Sequence, residues 1–208
     1  MFFWTLQSKS VLKEAEEKDI YYPNFELSPQ SHINDYNRVL NAFNQLNHSN
    51  YKGLIFCLAP EQNSERINEY KNVEIIKQLF QNNTEIKNSL ASQPYSLFDE
   101  NHQLIKIDGS EFEKTHTIPI DYWNHIIIMD SGSPEYFDYI KKTCTNNYAT
   151  MEYKDFEQCI LKSIEEGKYA DPIMDNSFYK FNTMTEIHIP YIRYSSILEF
   201  YDASQLLE

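Results

Sequence analysis

In the stretch T-M-T-E-I-H-I-P-Y-I-R-Y-S-S-I-L-E-F, residues 183–200, Glu186 and His188 alternate with Ile187 and Ile189. Successive strand side chains point to opposite faces, so this spacing predicts a strand with Glu186 and His188 on one face. The two isoleucines then take the core face. A catalytic face is the sharper reading of a carboxylate and an imidazole held side by side on one rigid strand. An antiparallel sheet with one wet face explains the same alternation with no chemistry at all. Both readings follow from the pattern, and the sharper one places Glu186 and His188 in a cleft.

Other chemistries find less support. The six histidines, His32, His48, His102, His116, His125 and His188, make no H-x-x-x-H or H-E-x-x-H pair, and no metal site is expected. Ser131-Gly132-Ser133 lacks the flanking residues of G-x-S-x-G, and Ser133 before Pro134 reads as a helix cap. The four glycines, Gly53, Gly109, Gly132 and Gly167, are far apart, whereas a Walker loop or a Rossmann fingerprint needs clustered ones. The three cysteines form no C-x-x-C pair, which fits a reduced cytoplasm, and Cys57 in an apolar run reads as core.

The 208 residues carry 18 basic and 31 acidic side chains, a formal net charge of -13. That balance disfavours broad nonspecific attraction to a phosphate backbone and suits an approach to a basic groove on another protein. The longest basic run is Lys141-Lys142, too short for a binding stripe. The opening M-F-F-W-T-L-Q has no basic leader, and no segment reaches the roughly 18 apolar residues of a membrane helix, so a soluble cytoplasmic protein is expected. Sixteen tyrosines and 13 phenylalanines supply rings, and tyrosine keeps a hydroxyl to place in a cleft or at an interface.

These residues need elements to hold them. Residues 2–6 predict a strand, with Ser8 or Ser10 capping a helix over V-L-K-E-A-E-E-K, and Tyr21-Tyr22-Pro23 ending the unit. Tyr36, Val39, Leu40 and Phe43 have helical spacing and predict a helix from about Asp35 to Leu46. Gly53 to Ala59 is continuously apolar and predicts a central strand stopped by Pro60. Residues 64–91 suggest one or two helices broken near 81–84, and Leu104–Ile107 suggests a strand entering a turn at Asp108-Gly109. Residues 121–130 fit strand or helix; Ser133-Pro134 opens a helix, and Asp155 to Glu166 forms another with Gly167 as its stop. The whole reads as one α+β domain over residues 1–208.

Taken together, the two ends of the chain resemble the ADP-ribosyltransferases, especially their DNA-targeting toxin branch. In that branch a short H-x-T strand and a late glutamate frame the NAD site. F-W-T-L-Q-S-K-S-V-L-K-E-A-E-E-K-D-I-Y-Y is also similar to an uncharacterised bacterial family opening Leu-Trp-Thr-Ile-Gln. The interval from Asn34 to Phe181 does not align. The resemblance implies a split mixed sheet with surrounding helices, NAD as substrate, an unknown macromolecular acceptor, and a setting in bacterial or phage conflict. It assigns Thr5 to the nicotinamide-side ribose, Tyr21 or Tyr22 to stacking on nicotinamide, and Glu186 to the ribose 2′-hydroxyl as the catalytic carboxylate. Where the toxin branch has His, this chain has Phe3, which donates no hydrogen bond. The alternative is a non-enzymatic acidic inhibitor that docks on a basic protein groove.

Overall fold

A computed structural model describes residues 1–27, 33–60, 68–82, 99–115 and 184–206. Their elements are β1 (Phe2–Ser8), α1 (Lys9–Lys18), β2 (Ile20–Tyr21), α2 (Ile33–Leu46), β3 (Ile55–Pro60), α3 (Val73–Asn82), β4 (His102–Asp108), β5 (Met184–Ile189), β6 (Ile192–Arg193) and β7 (Ile197–Asp202). The expected elements at 121–130, Ser133-Pro134 and Asp155–Glu166 lie outside the described residues.

The protein is α+β. Among the described residues five strands form one sheet in the order β5-β3-β1-β4-β7, and β2 pairs with β6 in a small ribbon. Every pairing among the described strands is antiparallel. The reason is that β1 lies between β3 and β4, and both run against it. The chain divides into two compact units: Met1–Pro23 with Ile55–Lys114 and Ser177–Glu208, and Asn24–Leu54 with Thr115–Asn176.

In the first unit β1 is central because its sequence demands burial on both faces. Phe2 and Trp4 enter one cluster with Tyr70, Ile76, Leu104, Ala203 and Leu206. Phe3 enters the opposite cluster with Val11, Ile55, Cys57, Ile105, Ile107 and Ile189. Cys57 is buried in β3, as its apolar run suggests. Helix α1 starts where Ser8 Oγ accepts from Ser10 N at 3.3 Å, and it buries Val11 and Ala15. It ends at Asp19, whose φ of 68° is a left-handed value that aspartate tolerates better than most residues.

In the second unit, α2 buries Val39, Leu40, Ala42, Phe43 and Leu46, the stripe that the spacing predicts. Asn44 closes the turn after it, its Nδ2 donating to Tyr51 O while its Oδ1 accepts from Tyr51 N, both at 2.9 Å.

Gly109, just beyond β4, donates its N–H to Met1 O at 3.0 Å and brings backbone against the Phe3 ring. A Cβ there would meet Phe3 Cζ at 2.3 Å. Gly109→Ala should therefore cost about 1–3 kcal/mol by overpacking, read as a lower urea midpoint with unchanged slope. An unchanged midpoint would show that Phe3 moves freely.

Candidate functional site

The strands β1 and β5, which carry the residues of interest, both flank β3. Their joints to the rest of the sheet differ greatly. β1 runs along β4 from Phe2↔Asp108 to Ser8↔His102, and β3 runs along β5 from Ile55↔Ile189 to Pro60↔Met184. Between β1 and β3 the ladder is one pair, Trp4↔Leu58. The sheet is therefore seamed at its centre.

Thr5 sits at this seam. Its Oγ1 donates to Phe56 O at 2.7 Å, so a side chain adds a bond between two strands that share a single ladder pair. Gln7 Nε2 in turn donates to Thr5 Oγ1 at 2.9 Å. Thr5 is 3% exposed, and its only proton is committed. A ribose hydroxyl would reach Thr5 only by opening this arrangement.

The other assigned residues lie on other elements. Tyr21 packs half-buried against the α1-side cluster, and burial, then Glu14, pushes its hydroxyl above the ordinary tyrosine value. Tyr22 is 55% exposed, its ring 5.6 Å from that of Tyr191. Of the two tyrosines, Tyr22 presents the more open ring. Glu186 stands opposite Leu58, which stands opposite Trp4, so two strand spacings of about 4.8 Å separate Glu186 from Trp4 along one row. Thr5 and Tyr21 belong to the α1 side, whereas Leu58 and Trp4 pack in the opposite cluster.

His188 corrects the expectation of a cleft-facing pair. It is wholly buried, paired with Phe56, and meets that ring edge-on at 4.9 Å and 88°. Ile189, on the other face, is wholly buried too. Alternation marks the two faces of β5 correctly, but both faces around 187–189 are covered, so the polar one is not wet.

Two charged clusters emerge that no local motif signals. Lys106, 7% exposed, lies over the rings of Phe2 and Trp4 with centroids at 5.7 and 5.3 Å. Its Nζ donates to Lys71 O and to Glu199 Oε1, each at 2.7 Å, and Tyr201 donates to Glu199 Oε2. A buried ammonium needs such partners, and with them it acts as a clamp rather than a reactive amine. The second cluster sets Arg193 beside Asp19 and Glu111. A lysine alternating with Leu104, Ile105 and Ile107 hints at the first; the pairing across strands is needed to identify Glu199.

His102 Nδ1 lies 2.6 Å from Asp99 Oδ1, and Ser8 is opposite His102 in the ladder. That trio resembles a hydrolytic arrangement only in composition. The Ser8 hydroxyl already caps α1 and bonds to Ser10 Oγ at 2.9 Å. Among the described residues no group of three or more His, Cys, Asp or Glu could hold a metal ion, and no helix is long and apolar enough to cross a membrane. Compared with known proteins, the chain matches no family model, no curated protein and no solved structure.

Removing the Thr5 hydroxyl tests the seam. Thr5→Val leaves Phe56 O without its side-chain donor and should cost about 1–3 kcal/mol in urea unfolding, while Thr5→Ser should retain most of it. Equal losses in both variants would mean that packing of the methyl, not the hydrogen bond, holds β1 to β3.

The clamp predicts a pH dependence. The Lys106 hydrogen bond, then that of Tyr201, holds Glu199 below its ordinary value, and the bond to Glu199 pushes Tyr201 up to about 12. Glu199 thus stabilises the fold above the ordinary carboxylate value of about 4.3, and this is lost as pH falls through its lower folded value. Tyr201 stabilises it fully below about 10, and this is lost as pH rises towards 12. The stability gap between the protein and Tyr201→Phe should be level from about pH 5 to 10 and close on either side. A gap that narrows between roughly pH 6 and 8 would show that another group governs the cluster.

Proposed function

We propose that the chain is an ADP-ribosyltransferase-like protein that takes NAD as substrate and modifies a macromolecular acceptor in a bacterial or phage conflict system. The observation that carries this reading is the central seam. The strands bearing the two terminal motifs flank the same strand β3, and β1 meets β3 at a single ladder pair. The resemblance implies an NAD site framed by the first strand and the late glutamate.

The chemistry asked of the site is modest. The bond between ribose C1′ and nicotinamide breaks, its electron pair leaves with the nicotinamide nitrogen, and an acceptor lone pair bonds to C1′ as the acceptor loses a proton. Positive charge grows on the ribose as the bond lengthens. Glu186, holding the 2′-hydroxyl, would oppose that charge with a fixed carboxylate, and a preorganised charge costs no reorganisation at that moment. Tyr22 supplies the open ring for stacking. Thr5 sets the spacing of β1 and β3 through its bond to Phe56 O.

Glu186→Gln tests this directly, because it keeps shape and removes charge. Nicotinamide release from NAD should fall by about 10²-fold or more, with a melting temperature altered by no more than a change of about 0.5 kcal/mol implies. Equal activity in the two proteins would reduce Glu186 to a structural strand residue. Absence of NAD cleavage in both would remove the transferase reading and favour the acidic interaction protein.

A further inference from the structure

The end of α1, the β2–β6 ribbon and the turn after β4 build a surface of which the NAD reading uses only the tyrosine pair Tyr21-Tyr22. Ile20 pairs with Arg193, and Tyr194 N donates to Asp19 O at 2.8 Å, locking the ribbon to the left-handed end of α1. On this base the Arg193 guanidinium lies 5.8 Å from the Tyr191 ring centroid. Its Nη1 is 3.3 Å from Asp19 Oδ2, and its Nε is 3.6 Å from Glu111 Oε2. The molecule already holds one guanidinium between a ring and two carboxylates.

Beside that group the same materials recur with open faces. Tyr194 is 41% exposed, and its hydroxyl donates to Glu16 Oε1 at 3.3 Å, so ring and carboxylate are held together. Tyr22 continues the aromatic surface through Tyr191. The carboxylates of Glu14, Glu16, Glu17, Asp19 and Glu111 outnumber the cations of Lys13, Lys18 and Arg193. Lys18 is engaged by Glu14 at 2.8 Å and Lys13 by Glu17 at 3.9 Å, and an excess of carboxylates over cations remains.

We propose that this surface, centred on Tyr22, Tyr194 and Glu16, docks an arginine-bearing segment of a partner protein. The charge excess turns away phosphate-bearing partners and attracts cations. The exposed rings choose among cations, because a planar guanidinium stacks on tyrosine while donating to a carboxylate, whereas an ammonium is a compact, strongly hydrated charge. Exposed tyrosines are also the residues on which interface energy concentrates.

The test titrates the full chain with hexa-arginine, hexalysine and hexaglutamate peptides at physiological salt, followed by calorimetry. Hexa-arginine should bind about tenfold more tightly than hexalysine, and hexaglutamate should not bind. Replacing both Tyr22 and Tyr194 with leucine, which keeps apolar area, should weaken hexa-arginine about tenfold and bring the two basic peptides level, with an unchanged melting curve. Glu16→Gln should weaken both peptides. Equal affinity for the two basic peptides in the unaltered protein, or indifference to the tyrosine changes, would reduce the effect to diffuse charge and overturn the proposal. Absence of hexa-arginine binding would overturn it as well.

Discussion

Neither face of the first half of β1 meets water, since Phe2, Phe3, Trp4 and Thr5 are all buried. Every polar group on that strand must then find its partner inside the protein, because an unmade bond in such a place costs the full desolvation of the group. Trp4 Nε1 answers with Tyr70 O at 2.8 Å, tying the strand to the turn before α3. Thr5 answers with Phe56 O and so bridges to β3, with which the strand shares a single ladder pair. The positions of α3 on one side and β3 on the other both follow from satisfying this strand.

The same constraint explains a lysine in the core. Lys106 pairs with Trp4 across the ladder, so its side chain rises among rings and cannot reach bulk water along a short path. Its stem covers aromatic surface while its head is passed to Lys71 O and Glu199, and Glu199 is held in place by Tyr201. The outer strand β7 is thereby fastened by charge as well as by its ladder to β4. Close packing of Gly109 on Phe3 fixes the opposite side of the strand.

Much of this was legible from local pattern. The aromatic opening, the serine before α1, the helical spacing of Tyr36, Val39, Leu40 and Phe43, and the strand, bend and strand around Pro190 all depend on residues close in sequence, and each appears near its expected place. What local pattern could not show was pairing. Lys106 and Glu199 lie 93 residues apart. His188 looked like one half of a polar face, but whether that face is wet depends on Phe56 in another strand. Thr5 entered as a candidate ligand only through the resemblance, whereas its commitment to Phe56 exists only once β1 and β3 are neighbours. The ribbon of β2 and β6 has two residues in each strand, too few for any periodicity to announce it.

The central claim is that NAD binds at the junction of β1 and β3, with Glu186 on β5, the strand paired with the other edge of β3. Amide hydrogen exchange with and without NAD reads those strands individually, since backbone groups that a ligand covers or stiffens exchange more slowly. The account predicts that NAD slows exchange in β1, β3 and the first residues of β5, and leaves α2 unchanged. Exchange in those three strands that is identical with and without saturating NAD would contradict it.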